Sequence, residues 1–371
     1  MSPQIEISLI AIVVSIMCTI PGIFIVLRKM AMISDSITHT ILLGIVLGFF
    51  ITHNLSSPLL IVGATLMGVF TVWLTEVLYQ TGLVAEDSAI GIVFPLLFSI
   101  AVILITRYAG AVHLDTDSIL LGELAFAPFN RVTIFGFSIS RALVTASILL
   151  LINLGLLVIF FKELKLATFD PILAGLLGFT PVLIHYGIMT MVSISAVGAF
   201  EAVGSILVVA FMVGPAVTAS LLTTDLKKLI WYAIVICIIT SIAGYQAAIW
   251  FDISIAGSIA TCIGLLFMFI LILSPTNGII IKMIQKHKQK QMFAQDIFLI
   301  HVYHHMLRKE NHELMENTVH EHLCWKTEKT KTIMQQLLKL NYIAVDRTVI
   351  QLTDKGMKHV QQLDYVQKLV V

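Results

Sequence analysis

Nine separate apolar runs, each about twenty residues long, decide what this chain can fold into. They occupy about residues 8–27, 32–51, 58–79, 89–106, 142–161, 176–197, 202–222, 229–250 and 255–274. About twenty residues of helix, at 1.5 Å each, cross the roughly 30 Å hydrocarbon core of a bilayer. No water is present there to satisfy an open strand edge, so the runs are read as helices. They predict an all-α polytopic membrane protein of about eight or nine spans. The first run is too long for a secretory leader and has no small-residue cleavage site, so it is expected to stay as the first helix. With 58% of residues hydrophobic and 12% charged, the chain is far from a soluble enzyme, which carries about 25% charge. Cys18, Cys237, Cys262 and Cys324 show no CxxC spacing, which implies neither a zinc nor a disulfide framework.

Charge divides the chain. Residues 1–281 hold 9 of the 23 Lys and Arg but 13 of the 22 Asp and Glu, while 282–371 hold the rest and 8 of the 12 histidines. The expected organisation is a transmembrane domain (1–281), a basic juxtamembrane linker (282–292) and a small α+β domain (293–371). The linker, with Gln285-Lys-His-Lys-Gln-Lys-Gln291, suits the anionic lipid of a cytoplasmic leaflet. Arg28-Lys29, Lys162 with Lys165, Lys227-Lys228 and the residues from Lys282 onward share one side if the N-terminus is outside and all nine runs span. Short cytoplasmic loops are rich in Lys and Arg, so the tail is expected to be cytoplasmic. Residues 107–141 then lie outside, where Asp115, Asp117 and Glu123 offset Arg107, Arg131 and Arg141.

Small residues spaced for close helix contact occur in Gly44-Ile-Val-Leu-Gly48 and Ala64-Thr-Leu-Met-Gly68, as expected of a packed bundle. Gly214-Pro215 is expected to break or kink its helix, since proline lacks a donor and clashes with the preceding turn.

Ionisable groups within spans face a partner or an aqueous path. Asp35 and His39 are i and i+4, on one helical face. Counted from Lys29, they lie about 9 Å and about 15 Å into the core. A carboxylate with an imidazole there suits a first-row divalent metal; equally, the two form a hydrogen-bonded pair joining helices. Glu86 and Asp87 either start a helix, where acids favour the dipole, or line the path. His113, Asp115, His185 and Glu201 are the other polar groups at or within the spans. His185 is a bundle-interior donor or a path residue, and Glu201 sits near an external boundary. Asp170-Pro171 has the form of a helix start, opening a short amphipathic helix that ends near Gly178. Such a helix serves as an interfacial element or as a docking element.

Several stretches taken together resemble the membrane permease subunit of ABC importers for manganese, zinc or iron. They are Leu27-Arg-Lys-Met-Ala-Met-Ile-Ser-Asp-Ser-Ile-Thr-His39, Glu86-Asp-Ser-Ala-Ile-Gly-Ile-Val93, Val112-His-Leu-Asp-Thr-Asp-Ser-Ile-Leu-Leu-Gly-Glu123, Phe169-Asp-Pro-Ile-Leu-Ala174, and Ala202-Val-Gly-Ser-Ile-Leu-Val-Val-Ala210 running on to Gly214-Pro215. They cover about residues 25–225 in the family's order. Ser34 stands where the family commonly has glycine and Thr38 where it has serine. The resemblance implies that Asp35 and His39 are metal-site residues. It also implies that 162–178 holds the element docking on an ATPase, with Phe169, Asp170, Pro171, Ala174 and Gly178 as its marks. Glu86, Asp87, His185 and Glu201 are candidate path residues. The chain has no GxxxxGK[ST] phosphate loop, so ATP hydrolysis is expected in a separate subunit and this chain is not itself an enzyme. The further implications are an extracytoplasmic metal-binding protein, a homodimer or a heterodimer with a sister permease, and a bacterial cytoplasmic membrane. No resident cofactor is expected; the divalent metal is substrate.

In the tail, a helix from Phe293, a second around 311–323 and a third over 328–340 are expected, the last burying Ile333, Leu337, Leu338 and Leu340. A hairpin over 342–352, turning at Asp346-Arg347, and a final helix from Thr353 complete an order resembling a winged helix of metal-dependent repressors. Lys326, Lys329 and Lys331 read as a solvated face, and nucleic acid is not an expected partner. His301, His304 and His305 fall on one helical face, with His312, His320 and His322 beyond; imidazole clusters bind zinc, copper or nickel, so a metal sensor stands beside an accessory domain with surface histidines. The leading function is ATP-driven import of a divalent transition metal. An ion-coupled secondary metal transporter and a membrane-tethered metal-responsive regulator are the rivals.

Overall fold

The computed structural model describes residues 3–54, 57–108, 124–134, 137–275, 278–308, 311–315, 317–346 and 348–370, with the side chains of 134, 137, 201, 311, 312 and 364–370 left out. His113, Asp115, Asp117, Glu123, the whole stretch 112–123 and Arg347 lie outside the described residues, as do the side chains of Glu201 and His312. The chain forms two units, Met1–Gly278 and Ile279–Val371.

In the first unit the helices are α1 (Pro3–Leu27), α2 (Ala31–Thr52), α3 (Pro58–Gln80), α4 (Glu86–Tyr108), α5 (Arg141–Ile159), α6 (Phe161–Phe169), α7 (Pro171–Leu176), α8 (Pro181–Leu222), α9 (Leu226–Phe251) and α10 (Ile255–Leu273). Among the described residues, nine stretches are long and apolar enough to cross a membrane, α8 supplying two of them. The protein is an all-α polytopic membrane protein. Before α5, strands β1 (Arg131–Ile134) and β2 (Phe137–Ser140) form an antiparallel hairpin that no local sequence signal predicts. Glu6, buried at the start of α1, ties it down: Glu6 Oε1 accepts from Ser140 N at 3.1 Å, and Arg131 lies 3.5 Å from its other oxygen.

The reversal in the middle of α8 is at Gly204 (φ 74°, ψ 166°), not at Gly214-Pro215. A positive φ there suits glycine, which has no Cβ to clash. Before Gly204, α8 runs antiparallel to α1: His185 meets Arg28, while Ser195 and Met17 share Asn153. After it the chain runs parallel to α1, with Thr19 bonded to Phe211 and Ala216 packed with Ile23.

Pro215 leaves its helix intact for a specific reason. It cannot donate to the Phe211 carbonyl, so that acceptor is orphaned in a dry bundle. Thr19 Oγ1 of α1 donates to it at 2.7 Å. The same repair occurs within α1, where Pro21 orphans the Met17 carbonyl and Asn153 Nδ2 of α5 donates to it at 3.1 Å. The two prolines therefore mark where α1, α5 and α8 are bonded together.

The small-residue seam forms as its spacing implies. A Cβ on Gly44 would collide with the Gly63 carbonyl, and one on Gly68 with the Ser193 hydroxyl, so α2, α3 and the first half of α8 approach closely. Helix α8 also packs on α1, α9 and α10, which places it between the α2–α3–α4 group and the remaining helices.

The second unit contains α11 (Ile279–Arg308), a 3₁₀ turn (Asn311–Leu314), α12 (Val319–His322), α13 (Thr327–Lys339), β3 (Ile343–Asp346), β4 (Val349–Leu352) and α14 (Asp354–Val370). The expected linker 282–292 is not a separate segment but part of α11; its residues are exposed and burial begins at Ala294. The expected second helix, 311–323, divides into the 3₁₀ turn and a short α12. Phe298, Val302, Leu314, Val319, Ile333, Leu337, Ile350 and Val360 form the core. Leu338 and Leu340, expected within it, are exposed. Ile333 and Leu337 share a face with buried Thr330 and Met334; Leu338 is turned about 100° from Leu337 at 3.6 residues per turn, and Leu340 lies past the helix end.

Candidate functional site

Helix α1 ends at Leu27, and the left-handed backbone of Lys29 (φ 63°) turns the chain into α2. The next residues, Ser34, Ser36, Thr38 and Thr40, are buried. The hydroxyls of Ser34, Thr38 and Thr40 bond the backbone of their own helix, as Thr38 Oγ1 does to Asp35 O at 2.7 Å; that of Ser36 has no hydrogen-bond partner among the described residues. Thr40 also accepts from Thr71 of α3 at 2.8 Å. With that side committed to packing, Asp35 and His39 are left on the open side of α2. Their side chains are 44% and 21% exposed, with His39 Nε2 3.4 Å from Asp35 Oδ1. The His39 ring lies 5.1 Å from Phe94 and 5.8 Å from Phe98 of α4, which restricts its rotation. The 3.4 Å separation is also one that two donors adopt around a shared ion at about 2.0–2.2 Å from each. Two donors leave such an ion's coordination incomplete, and among the described residues no group of three His, Cys, Asp or Glu stands ready to hold a metal.

The remaining candidates separate. Glu86 and Asp87 occupy the first turn of α4, the position of a helix start. His185 joins a network that contains a residue absent from the sequence candidates, Glu76 of α3. His185 Nε2 lies 2.8 Å from Glu76 Oε1, Tyr186 donates to Glu76 Oε2 at 2.6 Å, and Arg28 Nη1 lies 3.0 Å from His185 Nδ1. Arginine has no acceptor, so His185 Nδ1 accepts from Arg28, while Nε2 faces Glu76 at ion-pair distance without hydrogen-bond geometry. Arg28 also donates to the Ala167 carbonyl at 3.3 Å. These residues line a cavity of about 540 Å³ with Lys29, Gln80 and Pro171. A lone glutamate in an apolar run was the available signal for Glu76.

Asp170 caps α7 as its spacing implies, Oδ1 accepting from Leu173 N at 2.9 Å. Gly178 closes the segment at φ 88°. Phe169, Ile172, Leu176 and Leu177 are exposed, whereas Ala174, grouped with the docking marks, is fully buried. Its place is to seat α7, and the outward surface belongs to the apolar residues around it.

In the second unit, the expected trio does not gather. His301 and His305 come together with ring centroids 4.4 Å apart, but His304 is exposed on another side of α11, its ring 6.0 Å from Tyr303. Glu313 and His322 take its place beside the pair. Burial first, then the neighbouring His305 and His322, pushes the His301 imidazole below its ordinary pKa.

The model of the ABC 3 transport family matches residues 5–274. The chain is 40% identical over 357 residues to the zinc transport system membrane protein TroD of Treponema pallidum, covering 96% of this chain and 97% of that one. It is also 40% identical over 272 residues to the manganese transport system membrane protein MntD of Bacillus subtilis, covering 73% and 92%. Among solved structures it is similar to PsaBC from Streptococcus pneumoniae in complex with Fab, at a TM-score of 0.63 and 26% identity, over 75% of this chain and 94% of that one. With nine stretches long and apolar enough to cross a membrane among the described residues and a family match over nearly all of the first unit, the chain belongs to the ABC 3 transport family, as a membrane permease.

Proposed function

We propose that this permease is the membrane subunit of an ATP-driven importer of a divalent transition-metal ion (manganese, zinc or iron), with Asp35 and His39 as donors on the ion's path. The observation that supports this reading is the pair itself: a carboxylate and an imidazole 3.4 Å apart on the open side of a span. A charged group so exposed within a bilayer is costly unless a partner covers it. A second permease, identical or a sister chain, covers that side of α2 and supplies further donors. The relatives named for zinc and manganese transport support the class of cargo.

ATP hydrolysis belongs to a separate ATPase that docks on α6 and α7, where exposed Phe169, Ile172, Leu176 and Leu177 offer an apolar surface. An extracytoplasmic protein delivers the ion. The membrane is the bacterial cytoplasmic membrane, with the tail inside; three α-helices, a hairpin and a last helix in the tail support a winged-helix-like domain. The test is uptake of manganese, zinc and iron by the reconstituted complex with and without ATP. Uptake that requires ATP is expected, and equal uptake without it would return the secondary-transporter reading.

A further inference from the structure

The tail holds a side-chain cluster that the transport path does not use. His301 and His305 are one turn apart on α11, Glu313 lies in the 3₁₀ turn that follows, and His322 ends α12. His305 Nδ1 is 3.0 Å and His322 Nδ1 3.8 Å from the same oxygen, Glu313 Oε2. The His301 ring stacks on that of His322 at 6.2 Å, and its Nε2 is buried with no hydrogen-bond partner among the described residues.

A purely structural cluster explains part of this. An imidazole N–H of His305 donating to the carboxylate would account for the 3.0 Å contact, but His322 at 3.8 Å lies beyond hydrogen-bond distance. Such a cluster also leaves a buried ring nitrogen unsatisfied, which native structures rarely tolerate. A metal ion removes that difficulty, because it takes the lone pair of the ring nitrogen. Around a tetrahedral ion with bonds of about 2.0–2.2 Å, donor atoms lie roughly 3.3–3.6 Å apart. The two distances to Glu313 bracket that range.

We propose that Glu313, His305 and His322, with His301 as fourth donor, form a binding site for a divalent first-row transition metal such as zinc or cobalt. Nitrogen and carboxylate donors suit that class and not calcium or magnesium, which take oxygen shells. The cage is not closed as it stands; the ion draws the rings inward and displaces the bridging proton to solvent. It thereby fastens α11 to the 3₁₀ turn and α12, two elements of four residues each. The site lies in the second unit and stands whether or not Asp35 and His39 carry cargo.

The experiment uses the full chain in detergent with Asp35→Asn and His39→Ala together, so that the membrane pair contributes nothing. Cobalt(II) is titrated at pH 7.5 while its visible ligand-field bands are followed, and zinc is titrated in competition. One cobalt per chain, with the intense bands of tetrahedral coordination, is expected. His305→Gln, His322→Gln and Glu313→Gln should each weaken binding by roughly tenfold or more, with unchanged far-ultraviolet circular dichroism, and His304→Gln should leave it unaltered. Absence of cobalt binding by the parent, undiminished binding in the three variants, or an equal loss with His304→Gln would each overturn the proposal.

Discussion

The two units handle polar groups in opposite ways. In the membrane unit nearly every buried polar side chain is committed to a backbone carbonyl or to another helix. Thr19 and Asn153 repair carbonyls orphaned by Pro215 and Pro21, and Ser193 donates to Thr65 O at 3.0 Å. In the tail, water can satisfy an exposed group, so histidines are placed with little constraint and only tertiary contact separates a cluster from a solvated side chain. Asp35 and His39 stand out because the bundle around them leaves so little polar surface uncommitted. His304 and His305 are neighbours in sequence, yet only one reaches Glu313.

The largest expected effect tests the exception within the bundle. Asp35→Asn or His39→Ala should lower metal uptake by the reconstituted complex by about a hundredfold or more, with normal expression, because an ion losing one of few donors in a low-dielectric path has no substitute. Uptake at the parental rate would show that these residues are packing groups like their neighbours.

Next in size is the surface that the bundle turns toward solvent. Ile172→Asp or Leu176→Asp should abolish co-purification of the ATPase while leaving the permease folded, since each places a charge on an exposed apolar patch. Ala174→Trp should act differently, lowering the thermal midpoint of the isolated permease, because that position is buried. If Ala174→Trp lowers docking with no change in stability, the surface extends to α7's inner side.

The third prediction addresses proline repair. Thr19→Val and Asn153→Leu each leave a buried carbonyl without a donor and should cost about 1–2 kcal/mol, read from denaturation in detergent. The two losses should be similar, because Asn153 also donates to Ser195 at 2.7 Å and Thr19 also bonds Cys237 Sγ at 2.9 Å. Restoring the backbone donor with Pro215→Ala should recover most of the Thr19→Val loss; no recovery would mean that Thr19 acts by packing alone.

The smallest effect belongs to the boundary of α9, where the bundle meets water. Asp225 Oδ1 accepts from the Lys227 and Lys228 amides at 2.9 and 3.2 Å, and the Lys228 amide first, then that of Lys227, holds its carboxyl below the ordinary value of 3.8. A depressed carboxyl stabilises the fold above its unfolded pKa and loses that contribution as pH falls through the folded one. The slight advantage of the parent over Asp225→Asn should therefore be constant near neutrality and shrink only as the pH drops below about 3.8. An advantage independent of pH down to that range would assign it to geometry instead of charge.

The nine runs, the Asp35/His39 pair and the cap at Asp170 were legible because each is local: length at 1.5 Å per residue, an i, i+4 spacing and an Asp-Pro start need no distant partner. The reversal at Gly204 was not, because Pro215 is the stronger local signal and what spares its helix is a hydroxyl nearly two hundred residues away. Glu76 was a visible single charge, yet its meaning depends on His185 and Arg28 arriving from two other helices. The hairpin at 131–140 was hidden for the same reason, since Glu6 at the far end of the sequence holds it.

By itself, the sequence determined that this chain is a polytopic helical membrane protein with a basic tail, and which span carries ionisable groups, because the bilayer imposes length and apolarity residue by residue. Only the tertiary structure decided which proline is harmless, that Ala174 faces inward, and that Glu313 and His322 rather than His304 join His301 and His305. Those outcomes depend on which side chains meet across elements, and helical periodicity specifies a face without specifying what lies opposite it.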